Sequence, residues 1–361
     1  MKQKKNLIAA LALGMTSFAY ADVTLYGRIH MDLESTKAGT TETPSLSKVQ
    51  NDASRIGFKG SEDLGNGLKA IWQVESGVSV DAGGGTWASR ESFLGLSDAT
   101  FGTLKAGNFL VPYDDLHYIA GNNFQQGTGI SNDAAMWANG GDLKTGGFDT
   151  RLGNSISYQT PKYKGFSSRI QYSLTTDATN GKEAKSNGAS VVSANVLYDD
   201  GPLRVGYGFQ NNRDMQGLSS NFYEDGTAHM LAAGYVFGDF YLGGLYEHIK
   251  LENINNSGND RSRNYYGAMA SYTAGLNVFS AQFGKAASWT GAAGVADSGA
   301  RMGSIAYNRI LSKTTQVYAL YTLMHNDDNA GYVLGSNAVQ PGAGAVMSKQ
   351  HSIAIGMWKN F

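Results

Sequence analysis

Apolar and polar positions alternate with a period of two along most of this chain, as strands do when their two faces meet different environments. Val23, Leu25, Ile29 and Met31 alternate with Thr24, Arg28, His30 and Asp32, and Ser54–Lys59 repeats the pattern with charges on one face. Phe166, Ile170, Tyr172 and Leu174 oppose Arg169, Gln171 and Ser173; Leu203, Val205, Tyr207 and Phe209 oppose Arg204 and Gln210. One face is greasy and aromatic, the other charged and wet. Read along the chain, the pattern predicts sixteen strands: 23–34, 53–62, 67–76, 87–97, 102–109, 152–160, 165–174, 190–199, 202–211, 227–237, 239–250, 263–273, 275–285, 299–310, 313–326 and 348–361.

The connections alternate too. Short turns fall at 63–66, 99–100, 161–164, 200–201, 238, 274 and 311–312, most offering glycine, asparagine or aspartate for a tight reversal. The other gaps, 35–52, 77–86, 110–151, 175–189, 212–226, 251–262, 286–298 and 327–347, are long and polar. A soluble sandwich also alternates along its strands, but it has no reason for this rhythm of connections, whereas a transmembrane barrel with short periplasmic turns and long outer loops requires it. Tyr163, Phe166, Phe237, Phe240, Tyr241, Tyr272, Phe101 and Trp358 fall near the short-turn ends, where an interfacial aromatic girdle is expected. The last strand alternates Ile353, Ile355 and Met357 with small residues and ends on Phe361, taken as the barrel's C-terminal signal.

Composition narrows the class. With 361 residues, 47 glycines, 20 tyrosines and only 5 prolines, the chain suits many short strands and tight turns. It has no cysteine, which removes thiol chemistry and disulfides together. Lys2, Lys4 and Lys5 precede the apolar run 7–15, and Ala19-Tyr20-Ala21 supplies a small-x-small cleavage pattern, so residues 1–21 read as a signal peptide cut between Ala21 and Asp22. The run is shorter than the ~20 residues a spanning helix needs. The expected mature domain, 22–361, loses three lysines from 29 basic residues and none of 30 acidic ones, leaving net −4. Nothing there recommends nucleic acid as a partner.

The stretch from Leu110 to Thr150 is too long and irregular for a strand, and it carries Asp114, Asp115, Asp133, Asp142 and Asp149 against the single Lys144. Structureless connections of that length inside compact domains are usually functional. It is expected to fold into the barrel and narrow a water-filled pore, with 110–151 as the constriction loop and His117, beside Asp114 and Asp115, as a pH-sensitive group. Arg28, Lys105 and Arg169 lie near the middles of their strands on the polar face, and Arg55 and Arg90 nearer the outer ends. A lipid-facing arginine or lysine at the membrane midplane would cost about 2–4 kcal/mol, so the lumen is the consistent side. A plainer role for these charges, pairing with Asp32 or Glu75 to hold the barrel together, stays open alongside.

The first strand, DVTLYGRIHMDLE (22–34), the hairpin SRIGFKGSEDLGNGLKAIWQVE (54–75), the segment RESFLGLSDATFGTLKAGNF (90–109) and the terminal Phe361 closely resemble Gram-negative general porins of the neisserial and other betaproteobacterial type. The resemblance spans the mature chain and is loosest in the outer loops. It implies a homotrimer of sixteen-stranded barrels in the outer membrane, surrounded by lipid and lipopolysaccharide, each with its own diffusion pore and with the third long loop folded inward. It also implies that the second long loop reaches a neighbouring subunit, and that loop acids (Asp114, Asp115, Asp133) face wall cations, for which Arg28, Arg55, Arg90, Lys105 and Arg169 are the candidates.

Other chemistry finds little support. His30, His117, His229, His248, His325 and His351 are scattered singly, without a GxSxG elbow or an HExxH helix. Gly83-Gly84-Gly85 precedes no helical pattern, and Asp327-Asp328 misses the calcium-loop spacing. No cofactor or metal is expected. The expected function is passive diffusion of ions and small hydrophilic solutes with weak anion selectivity; a channel selective for sugars or organic acids and an outer-membrane hydrolase are the alternatives.

Overall fold

A computed structural model describes residues 22–38, 46–120, 129–133, 136–137, 147–174, 189–215, 223–334 and 349–361. The expected leader with Ala21, and Phe124, Asp142 and Lys144 of the acidic connection, lie outside the described residues. The alternating pattern becomes β1 (Asp22–Ala38), β2 (Leu46–Asn51), β3 (Arg55–Gly65), β4 (Leu68–Val78), β5 (Gly85–Thr86), β6 (Ser92–Asp98), β7 (Gly102–Leu110), β8 (Arg151–Gln159), β9 (Phe166–Leu174), β10 (Ser190–Asp200), β11 (Leu203–Arg213), β12 (Gly226–Phe237), β13 (Phe240–Leu251), β14 (Arg261–Ala274), β15 (Asn277–Ala286), β16 (Ala300–Ser312), β17 (Thr315–Asn326) and β18 (Lys349–Asn360).

All these strands pair antiparallel in one sheet, and β18 pairs with both β17 and β1, so the sheet closes on itself. β2 and β3 pair with the same strand, β1; β5 and β6 pair with the same strand, β4. Each couple is one wall strand interrupted, at 52–54 and at 87–91, leaving sixteen strands around the circumference. The expected strand 87–97 therefore begins later as regular strand, and the expected connections 35–52 and 77–86 are partly wall. No described helix is long and apolar enough to cross a membrane. The closed barrel satisfies its backbone hydrogen bonds between strands and leaves no open edge, which is what a bilayer demands.

Burial follows the period of two. In β1, Val23, Leu25 and Leu33 point outward and are exposed, while His30, Asp32, Glu34 and Thr36 point inward and are buried. Large apolar side chains left exposed on the outside of a closed barrel form the band that faces hydrocarbon. Tyr163, Phe166, Phe101, Phe237, Phe240 and Tyr272 belong to it at the short-turn end, the last three stacked at 5.2 and 4.6 Å between successive centroids. Tyr241 and Trp358 do not: each follows an outward residue, so the same alternation turns it inward. Trp358 is buried against His30 and Tyr318, and the Tyr241 hydroxyl donates to the Ile119 carbonyl.

The ends of the chain meet where the barrel closes. Gly27 N–H donates to the Phe361 carbonyl at 2.9 Å and Phe361 N–H returns a bond to Gly27 at 3.1 Å. A Cβ at position 27 would lie 2.5 Å from the Phe361 ring, so this closure requires glycine.

Candidate pore constriction

The connection between β7 and β8, called L3 here, turns into the barrel. Pro112–Leu116 forms a 3-10 turn and His117–Ala120 one helical turn, and together they pack against the inner faces of β9 to β14. Two inward glycines of β11 make room: a Cβ on Gly206 would sit 2.6 Å from Ile119, and one on Gly208 3.1 Å from Leu116. Farther along, Ile130 packs among Ala306, Tyr318, Leu320, Ala354 and Trp358 on β16–β18, and Gly129 N–H donates to Asp52 at 3.1 Å. L3 thus lies on the wall from β9 round to β18, and the open channel runs between L3 and the wall of β1 and β3–β8.

The apolar packing beneath L3 departs from the wet inward face that the alternation predicts. Tyr113, Leu116, Met136, Trp137 and Phe148 are fully buried together with Ala228, Met230, Ile249, Leu251 and Tyr265. Each large side chain removed from water contributes about 1.5–3 kcal/mol, so L3 has its own core inside the barrel. The signal was present in β12 and β13, where Ala228, Met230, Leu245 and Ile249 occupy inward positions that a water-filled lumen would make polar. Directed bonds fix the register. Tyr113 donates to Glu247 at 2.8 Å, Asn195 to the Pro112 carbonyl at 2.7 Å, Gln282 to the Ser131 carbonyl at 2.6 Å, and Arg263 to the Trp137 carbonyl.

The loop acids divide. Asp115 accepts from Arg169 at 2.8 Å and from Asn195 at 2.7 Å. Asp114 lies 3.3 Å from His117 Nδ1 and close to Asp149; burial, offset in part by His117, pushes its carboxyl up to about 8. Asp149 is likewise pushed up, by burial. His117 is driven down by its burial and sits edge-on to the Trp137 ring at 4.2 Å between centroids. Asp133 is placed away from the wall cations: it accepts from the Tyr265 hydroxyl at 2.6 Å and the Trp137 indole at 3.3 Å, and burial raises it to about 6 despite both bonds. Its position is that of an anchor beneath L3 rather than a lining residue.

Across the gap stands the basic wall. Arg28 and Arg55 are directly opposed across β1 and β3, and both lie within charge range of Arg90 and of Tyr118, which is 63% exposed at the L3 edge. Like charges opposed in a sheet repel. Glu75 relieves part of this, 2.5 Å from Arg90 and 3.7 Å from Arg55, while the Arg28 guanidinium donates to Asn360 at 2.8 Å. Lys105 lies over the rings of Phe93 and Phe109, at 4.8 and 4.4 Å, and within range of Arg169. Arg151, at the loop-strand boundary where strand phase does not mark it, joins the group 3.5 Å from Glu91. The wall therefore brings together Arg28, Arg55, Arg90, Lys105, Arg151 and Arg169, against Glu75, Glu91 and Asp115.

The two interrupted strands help to aim this wall. Ala53 and Ala88 take left-handed backbone at φ 54 and φ 53, each two residues before an arginine of the cluster. Such a conformation costs a non-glycine residue about 1–2 kcal/mol, and irregularities of this kind re-aim the side chains that follow them.

These features recur in known proteins. A family model described as Gram-negative porin matches residues 8–329. The chain is 30% identical over 256 residues to the major outer membrane protein P.IB of Neisseria gonorrhoeae, covering 66% of this chain and 69% of that protein. It is 34% identical over 242 residues to the P.IB protein of Neisseria meningitidis serogroup B / serotype 15 (strain H44/76), covering 64% and 66%. Among solved structures, the anion-selective porin from Comamonas acidovorans superposes with a TM-score of 0.76 at 26% identity, over 94% of this chain and 100% of that one. A closed sixteen-stranded barrel with a loop folded onto its inner wall and a family match over most of its length leave one assignment: the chain belongs to the Gram-negative porin family.

Proposed function

We propose that this outer-membrane porin passes ions and small hydrophilic solutes by passive diffusion, prefers anions weakly, and works as a homotrimer. The observation that carries the ion preference is the wall cluster: six basic side chains converge on one side of the aperture, and three acids are paired among them. On the L3 side, Asp133 is turned into the packing and Asp114 is held protonated near neutral pH. A fixed positive wall opposed by a weakly charged loop stabilises anions in the narrowest segment, where fields act at short range. The Comamonas protein named as anion-selective shares the fold over its whole length, which supports the same reading. The family match and the fold support a channel.

Reversal potential in planar bilayers under a salt gradient tests the preference, and a potential of cationic sign overturns it. A solute-selective channel is the second reading, favoured by one feature: the exposed Tyr118 faces Arg28 and Arg55, a place for an anion that also carries an apolar face. Saturable block of single-channel current by such solutes would establish it. Conductance steps in groups of three would support the trimer.

A further inference from the structure

A second charged cluster lies where L3 reaches the seam of the barrel. β1 carries Asp32 and Glu34 on its inward face, and the break in the neighbouring wall strand adds Asp52. In register, Glu34 stands opposite Lys48 and Asp32 opposite Gln50. Asp52, two residues on from Gln50, is tied to the same strand by its N–H, which donates to the His30 carbonyl at 3.0 Å. All three carboxyls are buried, at 4, 1 and 3% exposure for Asp32, Glu34 and Asp52. A ligand oxygen from each lies within 4.8 Å of the others. Among the described residues their one ion pair is that of Glu34 with Lys48 at 3.5 Å.

The carboxylate oxygens divide by task. Asp32 Oδ2 accepts from the Tyr318 hydroxyl of β17 at 2.8 Å, and Asp52 Oδ1 accepts from Gly129 N–H of L3 at 3.1 Å. The second oxygen of each aspartate, Asp32 Oδ1 and Asp52 Oδ2, is buried without a hydrogen-bond donor, and so are both oxygens of Glu34. Each aspartate is therefore anchored by one oxygen and leaves the other to the cluster. Carboxylates buried in this way are costly unless they are paired or coordinate a metal. The ligands are all oxygen, which selects a hard cation over a transition metal. Calcium holds oxygens at about 2.3–2.6 Å, so opposite ligands stand up to roughly 5 Å apart, and it accepts a bidentate carboxylate. Magnesium needs a tighter, near-ideal octahedron that anchored aspartates match less well.

We propose that Asp32, Glu34 and Asp52 bind a divalent cation, Ca2+ by preference, and that the bound ion clamps L3 at Gly129 to the barrel seam. Lumen water reaching the partly exposed Lys48 side completes the coordination. The ion joins parts distant in sequence: β1, the break at 52–54 and, through the bond from Gly129 to Asp52, the part of L3 whose Ile130 packs on β16–β18. No spacing in the sequence marks the set, because Asp52 comes beside Asp32 only when the wall strand pairs with β1.

Terbium luminescence tests the site, because Tb3+ occupies calcium sites and is excited through nearby rings. Tyr318 is bonded to Asp32, and the Trp358 ring lies 5.5 Å from that of Tyr318. The purified protein in its native oligomeric state, stripped with EGTA, is titrated with Tb3+ and then with Ca2+. One saturable site per chain is expected, displaced by roughly 0.1–1 mM Ca2+, the range of calcium sites in extracellular modules, and resistant to the same concentration of Mg2+. Glu34→Gln and Asp52→Asn should each weaken binding tenfold or more, since even partners one shell farther out are worth about 10–100-fold. In planar bilayers, chelating Ca2+ should raise single-channel current noise in the wild type and change nothing in Glu34→Gln. Binding undiminished by either substitution, or noise indifferent to Ca2+ in the wild type, overturns the proposal. Absence of saturable binding between pH 7 and 9 overturns it too, leaving shared protons to hold the cluster. If Asp52→Asn fails to assemble, Glu34→Gln alone decides.

Discussion

Arg169 gives Asp115 a cationic partner at 2.8 Å, whereas its sequence neighbour Asp114 turns to His117 and Asp149, so two adjacent carboxyls answer differently to pH and to substitution. Burial raises Asp114 above the ordinary carboxylate value to about 8. A carboxyl raised in the folded state binds its proton more tightly there than when unfolded. Its stabilising contribution is therefore complete below pH ~4 and is lost as pH rises through about 8. Above that point Asp114 ionises beside Asp149, with Arg151 the nearest cation, and adds a negative charge to L3. The reversal potential measured from pH 6 to 9 should show anion preference declining above pH 8, and Asp114→Asn should abolish the decline while changing little at pH 7. Asp115→Asn behaves otherwise, because it releases Arg169 to the lumen at neutral pH. Anion over cation permeability should rise about fivefold, because one unit charge ~8 Å from a passing ion in water shifts anion and cation each by about 0.5 kcal/mol in opposite directions. An unchanged ratio would show that Arg169 and Asp115 stand outside the ion path.

L3 behaves as an element because it is packed, not because it is tethered at one point. Its helical turn rests on the backbone of β11 at Gly206 and Gly208, so Gly206→Leu must lift Ile119 and Leu116 off the wall. Displacement toward the basic wall should lower single-channel conductance measurably while the barrel still assembles, as heat-modifiable mobility on gels would report; full conductance would mean that L3 rests elsewhere. The strands themselves were legible from the sequence, since a period of two and alternating connection lengths survive any detail of packing: 102–109 became Gly102–Leu110, and 190–199 became Ser190–Asp200. The breaks at 52–54 and 87–91 were not, because Ala53 and Ala88 carry no residue-type signal for a left-handed backbone. The inward phase of the wall arginines could be read from strand position, and that L3 turns into the barrel could be read from its length and charge. The division of labour among its acids could not, because it depends on Tyr265, Trp137 and Asn195 arriving from strands and loop positions distant in sequence.

For the whole molecule, two electrostatic descriptions compete. The expected mature chain carries net −4, which taken alone favours cations, while the inner wall facing L3 carries Arg28, Arg55, Arg90, Lys105, Arg151 and Arg169. Which governs permeation depends on distance. A charge farther from a passing ion than the Debye length, ~10 Å at 0.1 M salt and ~3 Å at 1 M, is largely screened, whereas a charge on the wall beside the ion is not. The local term should therefore set the sign, and screening should erode it gradually. Reversal potentials under fixed-ratio gradients should show anion preference that is strongest at low ionic strength and falls toward the ratio of bulk mobilities near 1 M. Arg28→Glu with Arg55→Glu, which reverses two of the wall charges and leaves L3 untouched, should carry the preference to the cationic side at 0.1 M. If the wild type itself turned cationic as salt was lowered, the distributed negative charge would outweigh the wall and the proposed selectivity would fall.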